Sequence, residues 1–149
     1  MRKASAMHGK GVHVFSVRVY FEDTDATGIV YNSNYLKFAE RARTEMLREL
    51  GVEHSQMIDG EGRAFAVRRC AAEFMKPARL DDLLEVHTRL KALRGASLDL
   101  TQDIKRQGVD LVALDFRLAC MSMAGRATRI PPALRASLEN LWQQDRLSE

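Results

Sequence analysis

The chain has 149 residues, 46% hydrophobic and 29% charged, the size and balance of one soluble domain able to bury a core. Lys and Arg (23) against Asp and Glu (20) leave +3 with no block of like charge, so nothing argues for nucleic acid. Four scattered histidines and two distant cysteines, Cys70 and Cys120, have no zinc spacing, and no stretch has the apolar length of a membrane span.

Residues 1–12 carry Arg2, Lys3 and Lys10 but no apolar h-region. They read as a flexible tail rather than a signal peptide, so the expectation is a cytoplasmic protein with one domain at 13–149. From His13 the pattern has period two, with Phe15, Val17, Val19 and Phe21 on one face, which predicts a half-buried strand. A turn spans 23–28. Tyr35, Phe38, Ala39, Ala42 and Met46 then recur at helical spacing and predict one helix over about 33–50. Asn32, Ser33 or Asn34 is its expected N-cap, and Glu40 with Arg41 or Arg43 an expected surface ion pair.

A polar loop through Asp59, Gly60 and Gly62 leads to strands at 64–74, 83–93, 97–106 and 109–123. Cys70 and Cys120 fall in apolar strand-like runs and are expected to be buried, reduced thiols. Pro131-Pro132 opens a short amphipathic helix with Leu134, Leu138, Leu141 and Trp142. Strand, long helix, then four antiparallel strands excludes a βαβ alternation. The pattern predicts an α+β domain, an antiparallel sheet on one central helix. A single helix cannot cover a broad sheet, so association into dimers or larger is expected.

The segment from Tyr20 to Tyr35 reads YFEDTDATGIVYNSNY. Its three carboxylates precede a glycine turn that enters the helix directly, which sets an acid beside unpaired N–H groups and a positive helix end. Such a pair can run acyl transfer, the acid as base or nucleophile and the amides holding the oxyanion. Asp23 and Asp25 also read simply as turn residues. Calcium is excluded, because an EF-hand loop needs a bidentate Glu where Asn34 stands and a helix leading in.

Tyr20, Glu22, Asp23, Thr24, Asp25, Gly28, Val30, Tyr31 and Tyr35, continuing into 40–47 (ERARTEML), resemble the 4-hydroxybenzoyl-CoA thioesterase family of hot-dog proteins. The similarity is strongest to its Tol-Pal-associated acyl-CoA thioesterase branch, and it extends through 77–82 and 93–98 to cover roughly residues 13 to 133. The resemblance implies an antiparallel sheet wrapped around a long central helix, a homodimer or homotetramer, and active sites at the dimer interface. It assigns Asp25 as the essential carboxylate and the backbone N–H groups around Tyr31, Asn32 and Ser33 as the oxyanion hole. It implies no cofactor and no metal, with coenzyme A entering only as part of an acyl-CoA substrate and acyl carrier protein as a second candidate donor. Arg94, Ser97, Arg126 and Arg129 fall where the family places coenzyme A contacts, although solvated turn arginines are the plainer reading.

Members of that branch commonly carry His where this chain has Asn32, which cannot titrate near neutrality. Burial and the neighbours Asp23 and Glu22 are expected to raise the pKa of Asp25. The alternatives are a hot-dog hydratase, disfavoured because no His lies between His13 and His54, and a non-catalytic acyl-CoA-binding protein, favoured only by Asn32.

Overall fold

The computed structural model describes residues 4–8 and 11–147. Six strands form one antiparallel sheet: β1 (Ser5–His8), β2 (Val12–Arg18), β3 (Arg63–Phe74), β4 (Leu83–Leu93), β5 (Ser97–Arg106) and β6 (Val109–Ser122), in the order β1-β2-β4-β5-β6-β3. Three helices accompany them: α1 (Asn32–Glu49), α2 (His54–Glu61) and α3 (Pro132–Leu147). None of these helices is long and apolar enough to cross a membrane.

Period-two alternation puts one apolar side chain from each of five strands on a common rung. Phe15, Val86, Ile104, Val112 and Phe74 pair in register across β2, β4, β5, β6 and β3. The next rung is partly polar: His13, Thr88, Gln102, Leu114 and Ala72. Helix α1 lies on this face and buries Tyr35, Phe38, Ala39, Ala42, Met46 and Leu47. Gln102 satisfies that polar rung. Its Nε2 donates to the Ala39 carbonyl and to Thr88 Oγ1, each at 3.0 Å, so a buried amide fastens sheet to helix.

Arg43 departs from the expected surface pair. It turns inward, donates to Gln102 Oε1 at 3.0 Å and stacks 4.4 Å above the Phe116 ring. Burial pulls its pKa down, against the pull of Glu40. Helix α3 packs against β4, where Asp145 accepts from Arg89 at 2.9 Å. Gly11 makes the close approach to α3 possible: at φ +71°, a Cβ there would sit 2.8 Å from the Leu141 carbonyl oxygen.

Four further expectations are corrected. The tail reading fails at residues 5–8, which add β1 to the sheet edge, with Ser5 Oγ 2.6 Å from His13 Nε2. The loop expected after α1 contains α2, whose eight residues are too few to show a period. Phe21 leaves the first strand for a 3-10 turn and is exposed. Cys120 is buried, but Cys70 is exposed, because β3 is an edge strand and most of it stands uncovered.

Candidate active site

The turn after β2 is built by its own polar groups. Asp25 N–H donates to the Ile29 carbonyl at 2.9 Å and Gly28 N–H returns to the Asp25 carbonyl at 3.1 Å, with Gly28 at φ +82°. The Asp25 carboxylate is held inside this loop. Its Oδ1 accepts the Thr27 hydroxyl at 2.6 Å, the Thr27 N–H at 2.8 Å and the Ile29 N–H at 3.2 Å. Oδ2 takes none of these three bonds.

The pKa of Asp25 therefore moves opposite to the expectation. The Thr27 hydroxyl, then the Thr27 N–H, hold it below its ordinary value and outweigh the small cost of partial burial. The causes are all local to the loop, and neither Asp23 nor Glu22 is among them.

The entrance to α1 is equally specific. Tyr31 is the N-cap and offers no side-chain cap, so the Asn32, Ser33 and Asn34 side chains do not cap the helix as expected. Asn34 instead donates through Nδ2 to Asp23 Oδ1 at 2.9 Å. Tyr31 N–H donates to the Asp23 carbonyl at 3.1 Å and is spent, which removes it from the predicted oxyanion set. The N–H groups of Asn32 and Ser33 have no acceptor among the described residues. They are the first-turn donors that a helix leaves open.

A cavity of about 200 Å³ adjoins them, walled by Asn32, Tyr35, Phe74, Met75, Lys76 and Pro77. Tyr35 shapes it: the hydroxyl accepts the Ala78 N–H at 2.9 Å and the ring lies 6.0 Å from that of Phe74. Ala78 in turn accepts the Val30 N–H at 3.0 Å, which stitches the 76–82 loop to the Asp25 turn. Phe74 and Lys76 escaped the sequence reading, since a strand end gives no sign of lining a cavity formed by a distant helix.

The predicted coenzyme A contacts assemble elsewhere. Arg94 is committed to Asp99 through two bonds of 3.0 and 2.8 Å, and Arg117 grips the same carboxylate at 2.9 Å. The two cations hold Asp99 well below the usual carboxylate range. Ser97 Oγ lies 3.5 Å from Arg94, at the edge of bonding distance. Arg126 and Arg129 are exposed, and neither guanidinium forms an ion pair among the described residues. Ile130 N–H donates to the Gly95 carbonyl at 3.1 Å, so this whole set lies at one end of the sheet.

That end is far from Asp25. The Asp25 turn joins the residues before β4 through Leu80 N–H to the Gly28 carbonyl at 2.9 Å, whereas Arg94 follows β4. At about 3.3 Å per residue, this strand alone separates them by roughly 30 Å within one protomer. Among the described residues, no cluster of three or more His, Cys, Asp or Glu is placed to hold a metal ion.

An antiparallel sheet folded on one long helix, with an acid-bearing turn running into the start of that helix, defines a hot-dog α+β domain. Residues 19–138 match the thioesterase-like superfamily, and the chain belongs to it. It is 37% identical over 128 residues to the acyl-CoA thioesterase YbgC of Haemophilus influenzae, covering 85% of this chain and 94% of that protein. Over 88 residues it is 52% identical to the acyl-CoA thioester hydrolase YbgC of Escherichia coli O6:H1, covering 59% of this chain and 65% of that protein. Among solved structures, a probable thioesterase from Bartonella henselae superposes with a TM-score of 0.78 at 37% identity, over 80% of this chain and 99% of that chain.

Proposed function

We propose that the protein hydrolyses acyl-CoA thioesters, with Asp25 as the reacting carboxylate and the Asn32 and Ser33 N–H groups as the oxyanion hole. The observation that carries this reading is the pair of unspent N–H groups at the start of α1, beside a cavity and tied by hydrogen bonds to the Asp25 turn. The leaving thiolate has a conjugate-acid pKa of about 8.5 and needs no general acid, so one carboxylate and two amides suffice. Asp25 enters ionised and attacks the carbonyl carbon or takes a proton from water. Direct attack expels the thiolate and leaves a mixed anhydride. A single turnover in oxygen-18 water that labels Asp25 identifies this route, since water opening the anhydride at the Asp25 carbonyl leaves label there and the general-base route never does.

The working unit in this reading is a homodimer joined through β3. That strand is a twelve-residue edge with Val67 and Phe74 roughly half exposed, a surface that pairs unless covered. Two copies related by a two-fold axis set their β3 strands antiparallel. The Phe74 end of one protomer, beside its cavity, then meets the Arg63 end of the other. Arg63 donates to the Arg129 carbonyl at 2.9 Å, so pairing brings the partner's Arg126 and Arg129 toward the cavity. Those uncommitted guanidinium groups suit the phosphates of coenzyme A, whereas Arg94 is occupied. Acyl carrier protein presents the same phosphopantetheine thioester without the nucleotide, and a comparison of KM for both donors ranks them.

A colorimetric thiol-release assay on short-chain, long-chain and aromatic acyl-CoAs tests the reading, with Asp25→Asn as the control. Wild type is expected to release thiol and the variant not. Tight binding of every acyl-CoA without release would establish a non-catalytic binding protein in its place.

A further inference from the structure

Asp23 shares the motif with Asp25 but is 4% exposed, and three of its oxygens are spent. Its Oδ2 accepts the Tyr20 N–H at 2.8 Å, its Oδ1 accepts Asn34 Nδ2 at 2.9 Å, and its carbonyl accepts the Tyr31 N–H at 3.1 Å. Asn34, itself 8% exposed, belongs to the first turn of α1. This buried contact therefore bridges the turn that carries the reacting carboxylate and the helix end that carries the oxyanion donors.

We propose that Asp23 and Asn34 are positioning residues, a clamp that closes the Tyr31 amide and fixes the Asn32 and Ser33 amides relative to Asp25. The inference rests on the reaction proposed above and deepens it. A carboxylate serves at 23 because both oxygens must accept at once, and an amide serves at 34 because it must donate into that carboxylate. The pair spans eleven residues of sequence but a single hydrogen bond in space. Without it, the turn and the helix remain joined by the Tyr31 N–H bond and the Thr24–Val30 bridge, and the reacting groups lose their fixed spacing. A misplacement of about 1 Å in a reacting geometry costs roughly 100-fold in rate.

A reciprocal swap tests the clamp. Asn34→Asp sets two buried carboxylates against each other, and Asp23→Asn removes the charge that receives Asn34. Asp23→Asn combined with Asn34→Asp restores one donor facing one carboxylate, and the amide oxygen introduced at position 23 is left for the Tyr20 N–H. Each single variant is expected to lower kcat for hydrolysis of the best acyl-CoA by about 10- to 100-fold, with KM within about threefold and most of the loss recovered by the swap. Asn34→Ala is the variant to use if Asn34→Asp does not fold. Single variants with kcat within about twofold of wild type overturn the clamp. So does a swap that regains wild-type melting temperature but not kcat.

Amide hydrogen exchange at Tyr31 supplies a readout without substrate: slow in wild type, at least about tenfold faster in Asn34→Ala, slow again in the swap. If wild type hydrolyses no acyl-CoA while exchange follows this pattern, the proposed reaction fails and the clamp stands. Unchanged exchange in Asn34→Ala removes the clamp alone.

Discussion

The two ends of β4 are both rich in charged and polar side chains and have opposite characters. At the end near residue 82, two helix amides and one carboxylate oxygen are left outside the local hydrogen bonds. At the end near residue 94, the most suggestive cation, Arg94, is bound to Asp99 together with Arg117. A cluster of charge is a site only where bonding capacity remains for a ligand. The contrast is broken most directly by removing one group from each end. Asp25→Asn is expected to lower kcat by about 10²- to 10⁴-fold with the melting temperature held. Arg94→Ala is expected to do the reverse, leaving kcat nearly unchanged and lowering the melting temperature as Asp99 loses one of two partners. A large kcat loss in Arg94→Ala would return that residue to the binding site.

The next effect in size concerns what joins the two ends. If catalysis needs the Arg129 end of a second protomer beside the cavity of the first, charge on β3 must damage both assembly and activity. Val67→Lys places like charges near a two-fold axis and is expected to weaken association at least about tenfold by sedimentation equilibrium, with activity falling in parallel. Full activity in a monomeric Val67→Lys protein would show one chain to be sufficient.

The same contrast explains what was legible in the sequence. Strands β4, β5 and β6 were readable because each alternates against one covered face, and α1 because its apolar stripe keeps one period along the whole helix. A turn leading straight into a helix sets an acid beside open helix amides, and only the family resemblance narrows that to Asp25 and to the amides of Tyr31, Asn32 and Ser33. Tyr31 could not be excluded, since whether its N–H is free depends on the Asp23 carbonyl eight residues away. Arg43 looked like a surface residue because local spacing offered Glu40, whereas its true partner, Gln102, lies 59 residues on. Cys70 has the apolar context of a buried thiol, and only its place on the uncovered edge strand β3 decides that it is exposed. What escaped was in each case a contact outside the local repeat.

A smaller effect sharpens the role of the far end. Arg126→Ala and Arg129→Ala are each expected to raise KM for acyl-CoA about two- to fivefold, the range of an exposed ion pair in water. Neither is expected to change KM for an acyl-pantetheine that lacks the nucleotide. Equal KM increases for both substrates would place these arginines away from the phosphates.

The smallest effect is a shift on the pH axis, and it tests the Asp25 loop itself. The Thr27 hydroxyl is the largest cause of the lowered Asp25 pKa. A carboxylate with a depressed pKa stays ionised as pH falls from neutrality, so hydrolysis should hold level well into acid and fall only as pH passes through that lowered value. Thr27→Val deletes the hydroxyl but keeps the backbone N–H of residue 27 on Oδ1, which is the second cause. The pKa then rises, and the acid limb of kcat/KM must move to higher pH while the rate at neutrality changes little. A limb that stays in place in Thr27→Val would mean that a group other than Asp25 sets the acid side of the profile.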